Sequence, residues 1–204
     1  MEHDLHLAGP VVSLVPLRPE HAAALAHLGD PEAYAWHTST PPLTEATALT
    51  SIRTLLTDPT MLAFAVTGTD GGELRGTTSF YEHAPSVPRV EIGHTFYGRR
   101  FWGGPTNPHT KLLMLSHAFD TWGCERVALR CDADNQRSAR AIERLGARPE
   151  GVLRSHRRRH DGTVADTAYF SVVRAEWPDV RRRLLARVGE GRSEPSPAQG
   201  LTAG

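Results

Sequence analysis

The spacing of apolar and polar positions along the chain changes several times, and each change marks an element. Residues 11–19, VVSLVPLRP, alternate apolar and polar, which predicts a strand. PEHAAALAHL (19–28) predicts a helix, with Pro19 in its first turn and Gly29 past its end. Residues 30–43 are Pro-rich and irregular. TEATALTSIRTLLTD (44–58) sets Ala48, Ile52, Leu55 and Leu56 at helical spacing behind a Thr44 cap. Two apolar runs in 62–83 flank TDGG, a hairpin signal. RVEIGHTFY (89–97) reads as a further strand. The run 108–122 predicts a helix that buries Leu112, Leu113, Leu115, Ala118, Phe119 and Trp122 and stops at Gly123.

ERVALRCDA (125–133) predicts a strand. NQRSARAIERLGA (135–147) predicts a helix capped by Asn135 and stopped by Gly146. GVLRSHRRR and TVADTAYFSVV flank HDG as a second hairpin, and EWPDVRRRLLARV (176–188) is a last amphipathic helix. Residues 1–10 are expected to be flexible and 189–204 a disordered tail, since neither carries a period. An antiparallel meander feeding a strand–helix–strand–helix unit makes residues 11–188 one mixed α/β domain.

Composition narrows the function classes. The 204 residues carry 23 Lys+Arg and 23 Asp+Glu, a formal net charge of zero, which argues against a general nucleic-acid binder. No apolar run approaches the length of a membrane span. MEHDLHLAGP lacks the apolar core of a secretory signal. Two cysteines, Cys124 and Cys131, make neither a disulfide framework nor a metal pair. A cytoplasmic protein with no membrane and no metal is expected.

The segment RRFWGGPTNPHTKLLML (99–115) carries the candidate chemistry. Asn107 as cap and Pro108 at the first helical position are accounted for by helix-start physics. Gly103 and Gly104 are not. Small residues before a helix N-terminus let backbone N–H groups approach an anion, especially a phosphate. A purely structural turn is the alternative. The only lysine, Lys111, sits one turn into the helix; it is a phosphate ligand or a solvated surface lysine.

The succession EIGHTFY, Arg100-x-x-Gly103-Gly104, an apolar helix, RVALRCD and then DNQRSARAIERLGA resembles the GNAT superfamily of acetyltransferases, in its RimJ/RimL-like branch. The resemblance covers about residues 11–180. It implies a central, mostly antiparallel twisted sheet of about seven strands with a splayed strand pair and flanking helices. It also implies acetyl-CoA as cosubstrate, direct transfer to an amine of a small molecule or a protein N-terminus, and a branch that often dimerises. The glycine turn would hold the pyrophosphate, so Arg100, Trp102, Gly103, Gly104, Thr106, Asn107 and Lys111 are expected at the cofactor. Thr95, Phe96 and Tyr97 would bind the pantetheine arm, and Asn135 and Ser138 would lie near the sulfur. Pro105 departs from the family turn because it removes one N–H donor. A catalytically weak acyl-CoA-binding or sensory domain is therefore kept as an alternative.

Amine acetylation needs a base for the amine, a donor for the oxyanion and a proton for the thiolate. Glu91 matches an acidic position common in the family and is the first expected base. His94 ranks below it, on the opposite face if the strand is regular. His156 is third, in LRSHRR, a segment where some relatives carry an acidic base. Ser138 either protonates the thiolate or only contacts the cofactor. Cys131 is read as a buried hydrophobe. Trp36, His37 and Tyr34 are expected to line the acceptor side. LRSHRRRH (153–160) could be read as a nucleic-acid patch or a metal pair, but strand alternation splits its charges between faces and the rest of the domain is not basic; an anionic acceptor or the ribose phosphate of the cofactor is the better use of its arginines.

Overall fold

A computed structural model of the chain describes residues 3–70, 72–84 and 86–190. Its strands are β1 (Leu7–Ala8), β2 (Val12–Pro16), β3 (Leu62–Gly68), β4 (Leu74–Ala84), β5 (Arg89–Tyr97), β6 (Arg126–Asp132), β7 (Arg148–Arg158) and β8 (Val164–Val173). Its helices are α1 (Ala22–His27), α2 (Pro31–Tyr34), α3 (Glu45–Thr57), α4 (Thr106–Ser116), α5 (Gln136–Glu143) and α6 (Trp177–Glu190). The strands form one sheet in the order β1-β2-β3-β4-β5-β6-β8-β7. Every neighbouring pair is antiparallel except β5–β6, which α4 joins by a crossover.

Alternation along the strands sorts the core into two layers. Val12, Leu14, Phe64, Phe80, Ile92 and Leu129 point to the face covered by α4, α5 and α6. Leu17, Ala63, Ala65, Tyr81 and Phe96 point to the face covered by α1, α2 and α3. A strand that alternates in this way buries one set of side chains on each face only while its register holds.

Several expectations change in detail. The sheet has eight strands, because Leu7 and Ala8 pair with Leu14 and Ser13. Residues 3–10 are thus tied down rather than loose: Leu5 and Leu7 pack on the core, and the His3 ring hydrogen-bonds the Ala63 carbonyl oxygen at 2.9 Å. The irregular 30–43 stretch contains α2, because the Asp30 carboxylate accepts from the Glu32 and Ala33 amides ahead of Pro31. The helix foreseen over 108–122 starts at Thr106 with Pro105 as its cap residue, so Asn107 is not its cap and Pro108 is its third residue. It continues as a π-helical turn over His117–Thr121. Asn135 does cap α5, accepting from the Ser138 amide at 3.0 Å. The expected disordered tail lies outside the described residues from 191 onward; 189 and 190 extend α6.

Gly76 marks the tightest backbone contact, since a Cβ there would stand 1.9 Å from the Phe96 carbonyl oxygen across β4–β5. Gly76→Ala is expected to cost more than ~2 kcal/mol in a urea titration. An unchanged midpoint would contradict this register.

Candidate active site

The parallel pairing of β5 with β6 runs from Arg89↔Arg126 to Ile92↔Leu129 and goes no further. Both strands continue beyond it, β5 to Tyr97 and β6 to Asp132, so they part. A bulge assists the separation. Ser79 faces Gly93 and Thr77 faces Phe96, which leaves His94 and Thr95 opposite Thr78 alone. His94 takes up the extra length at φ 48°. The backbone groups of β5 that would face β6 lose their partner strand there, and buried groups of this kind need another partner.

The gap opens a cleft of about 510 Å³. Lys111, Ser138 and Ile142 line it from the α4–α5 face, and Trp36, His37 and Tyr81 from the other, so the cleft passes through the sheet. At one end lies the turn between β5 and α4. Gly103 has φ +72° and open space where a Cβ would be. Gly104 has no positive φ, and a Cβ on it would meet only the Phe101 carbonyl oxygen at 3.7 Å. Nothing inside the protein requires glycine at 104. A molecule approaching the backbone closely from the cleft would require it. The first N–H groups of α4 point out of the same turn without helical partners.

Under the cleft, Glu91 is 3 % exposed. Its Oε1 accepts from the Tyr81 hydroxyl and pairs with Arg130 Nε at 2.9 Å. Burial raises the Glu91 pKa, although the Tyr81 hydrogen bond and the Arg130 charge act the other way. Burial, followed by the Glu91 charge, also raises that of Tyr81. Arg130 lies over the Tyr81 ring and donates to the Tyr169 hydroxyl oxygen at 2.7 Å.

Residues 12–148 match the acetyltransferase (GNAT) domain family. The chain belongs to the GNAT acetyltransferase family. The chain is 30% identical over 105 residues to YoaA, an uncharacterized N-acetyltransferase of Bacillus subtilis strain 168, in an alignment spanning 52% of this chain and 58% of that one. The chain thus spans less than two thirds of that relative's length. A GCN5-related N-acetyltransferase from Brucella melitensis superposes with a TM-score of 0.85 at 28% identity, covering 91% of this chain and 86% of the other. Mycobacterium smegmatis RimJ, solved in complex with CoA-disulfide, shares the fold at a TM-score of 0.73 and 20% identity, over 90% of this chain and 95% of RimJ. Among the described residues, no helix of the chain is long and apolar enough to cross a membrane.

Most residues singled out in the sequence do meet at the cleft: Thr95, Phe96, Tyr97, Trp102, Gly103, Gly104, Asn107, Lys111, Asn135, Ser138 and His156 line it. Three do not. Arg100 turns away to pair with Glu73 at 2.6 Å. Thr106 is 1 % exposed and accepts from Arg75 at 3.4 Å. Glu91 sits behind Tyr81 and reaches the cleft through it. His94, placed on the opposite face from Glu91 by regular alternation, is returned to the same face by the bulge, its ring 5.2 Å from that of Tyr81. His156 hydrogen-bonds Thr167 Oγ1 at 3.1 Å. Cys131 is buried at the cleft wall.

Sequence reasoning missed Tyr81, Arg130, Arg137, Arg144 and Arg187 as cleft residues, while Arg157 lies in the arginine-rich 153–160 segment that it had assigned to an anionic acceptor or the cofactor. Tyr81 stood in a hairpin strand, and only its cross-strand pairing with Glu91 could have flagged it. Arg137 lies 3.5 Å from the Trp102 ring centroid, a contact invisible to spacing.

Lys111 is neither a solvated surface lysine nor paired with a carboxylate: Nζ donates to Thr95 Oγ1 at 2.8 Å and Thr78 Oγ1 at 3.3 Å. Burial lowers its pKa to about 7. Below that pH the native state carries a buried ammonium, and its cost is present in full. As pH rises from about 7 toward the ordinary lysine value near 10.5, the unfolded chain binds more protons than the native one, so stability rises. Lys111→Met is therefore expected to raise the melting temperature at pH 6, with a gain that shrinks steadily toward pH 10. A gain independent of pH would contradict the buried charge.

Proposed function

We propose that this acyltransferase moves an acetyl group from acetyl-CoA directly to a primary amine of a small molecule or a protein N-terminus. The observation that carries this reading is the parting of β5 from β6 into a cleft that ends at Gly103–Gly104. Such a cleft brings a long donor in from the α4–α5 face and an amine from the other. The fit of acetyl-CoA rests on open space at Gly103 and a bare backbone at Gly104, on the helix start behind them and on Arg137, Arg144 and Arg187 along the same wall. Pro105 removes one donor, and the N–H groups of Gly103, Gly104, Thr106 and Asn107 remain to hold the pyrophosphate. Past Ile92, the β5 backbone meets the pantetheine arm as a substitute strand. Asn135 and Ser138 stand near its sulfur.

In the transfer step the amine nitrogen bonds to the acetyl carbon, the carbon–sulfur bond breaks, and the amine's proton must leave. Tyr81 takes that proton at its hydroxyl oxygen while its own passes to Glu91, with Arg130 holding the carboxylate in place. Burial of Glu91 favours its protonated form, which makes it a fitting end point. The Ser138 hydroxyl gives a proton to the departing thiolate and regains one through water, while Glu91 releases the amine's proton to solvent by way of Tyr81. The proposed setting is the cytoplasm, and a homodimer is the proposed assembly.

A thiol-release assay over amines and N-terminal peptides tests the reading. Tyr81→Phe and Glu91→Gln should each lower kcat about 100-fold, with little change in the KM for acetyl-CoA. His156→Ala should cost less than either. If His156→Ala is instead the most damaging, the base is His156. If acetyl-CoA binds and no amine releases thiol, the chain is a binding domain.

A further inference from the structure

The transfer step leaves one nucleophile of the cleft without a role, the amine of Lys111. This residue lines the cleft from the α4–α5 face, although only 4 % of it is exposed. Its Nζ donates to Thr95 Oγ1 at 2.8 Å and to Thr78 Oγ1 at 3.3 Å. Among the described residues no carboxylate pairs with it, and burial lowers its pKa to about 7.

Thr95 fixes where this amine stands. It lies past Ile92, the last β5 residue paired with β6, on the stretch that the parting leaves free. It also follows directly on His94, whose ring stands 5.2 Å from that of Tyr81. Consecutive Cα atoms are about 3.8 Å apart. The Lys111 amine on one side of the sheet and the Tyr81 ring on the other therefore flank the same short stretch of β5, His94–Thr95. The proposed function lays the pantetheine arm along β5 past Ile92 and ends it at Tyr81. That path carries the thioester past the Lys111 amine, so the inference below rests on that reading.

The chemistry of the amine fits. A lysine attacks a thioester only as the free base, which an ordinary lysine rarely is at neutral pH. The buried ammonium of Lys111 has no counter-ion, so near pH 7 a large share of Nζ is uncharged. An uncharged amine has two N–H bonds. The Thr78 and Thr95 oxygens accept both, which leaves the lone pair uncommitted.

We propose that Lys111 is a self-acetylation site: with no acceptor amine present, acetyl-CoA held in the cleft transfers its acetyl group to Lys111 Nζ. The bond from Nζ to the acetyl carbon forms and the carbon–sulfur bond breaks. The proton that Nζ loses goes to the departing CoA thiolate. The product is an amide, which does not pass the acetyl group on. It is a modification of the chain and not a step of turnover.

Mass spectrometry of the full chain after incubation with acetyl-CoA, without any amine, tests this. Lys111 is the only lysine, so acetyl-lysine in any peptide reports this site. One acetyl group per chain is expected there. It should form at least about 100-fold faster than with S-acetyl-N-acetylcysteamine at the same concentration, because that short thioester lacks the pyrophosphate and nucleotide by which the cleft holds its donor. Gly104→Val crowds the turn on the cleft side, since a Cβ at 104 meets nothing of the protein closer than the Phe101 carbonyl oxygen at 3.7 Å. In that variant the rate with acetyl-CoA should fall to that of the short thioester. Equal rates with the two thioesters, or an unslowed Gly104→Val, overturn the inference. Acetyl-CoA binding by calorimetry with no acetyl-Lys111, or with acetyl only on the N-terminal amine, also overturns it and leaves the acetyltransferase reading intact. No binding of acetyl-CoA overturns both.

Discussion

A sheet strand must place its backbone polar groups somewhere, and β5 places only half of its β6-facing edge on β6. The parallel ladder stops at Ile92↔Leu129, while both strands run on. The remaining groups can be left to water or given to a ligand. Most of the site follows from that one choice. The gap lets a cleft cross the sheet, the crossover helix α4 starts beside the gap, and α5, after β6, forms its other wall. The bulge at His94 and Thr95 keeps the two faces sorted through the break, with Phe96 on the side of Tyr81 and Tyr97 on the side of Phe80.

The electrostatics around the gap follow from the same burial. Glu91 and Arg130 are on the two strands just where they begin to part. They pair at 2.9 Å with Tyr81 between the carboxylate and the cleft. A buried carboxylate left unpaired would be very costly, and Arg130 and Tyr81 together satisfy it. Lys111 is different. Among the described residues its ammonium donates to the Thr78 and Thr95 hydroxyls and pairs with no carboxylate, so burial weakens its hold on a proton. The fold thus holds one compensated and one uncompensated charge within a few side chains of the cleft.

Much of the fold was legible because period and punctuation agree along the chain. The two hairpins, α3 behind Thr44 and α5 behind Asn135 all rest on local signals of this kind. The short β1 was not legible, since two residues carry no period and gain their place only by pairing with β2. The start of α4 was misread by two residues because Asn107 and Pro108 imitate a cap pair, while the chain turns earlier at Pro105. For the site, Gly103 and Gly104 were visible as an excess of glycine over what a helix start needs. Arg100 stood out because a cation beside a glycine turn suggests phosphate; its pairing with Glu73, on the connection between β3 and β4, carries no signal in the sequence. Tyr81 and Arg130 were hidden because their role depends on cross-strand neighbours far away in sequence.

The central claim is that the parted β5 edge and the glycine turn together hold an acyl-CoA. Amide hydrogen exchange of the chain with and without acetyl-CoA reads both places at once. Binding should slow exchange at Thr95–Tyr97 and at Gly103–Asn107, with little change on the β2–β3 side of the sheet. Protection confined to other elements, or none at these two segments under saturating ligand, would contradict the account.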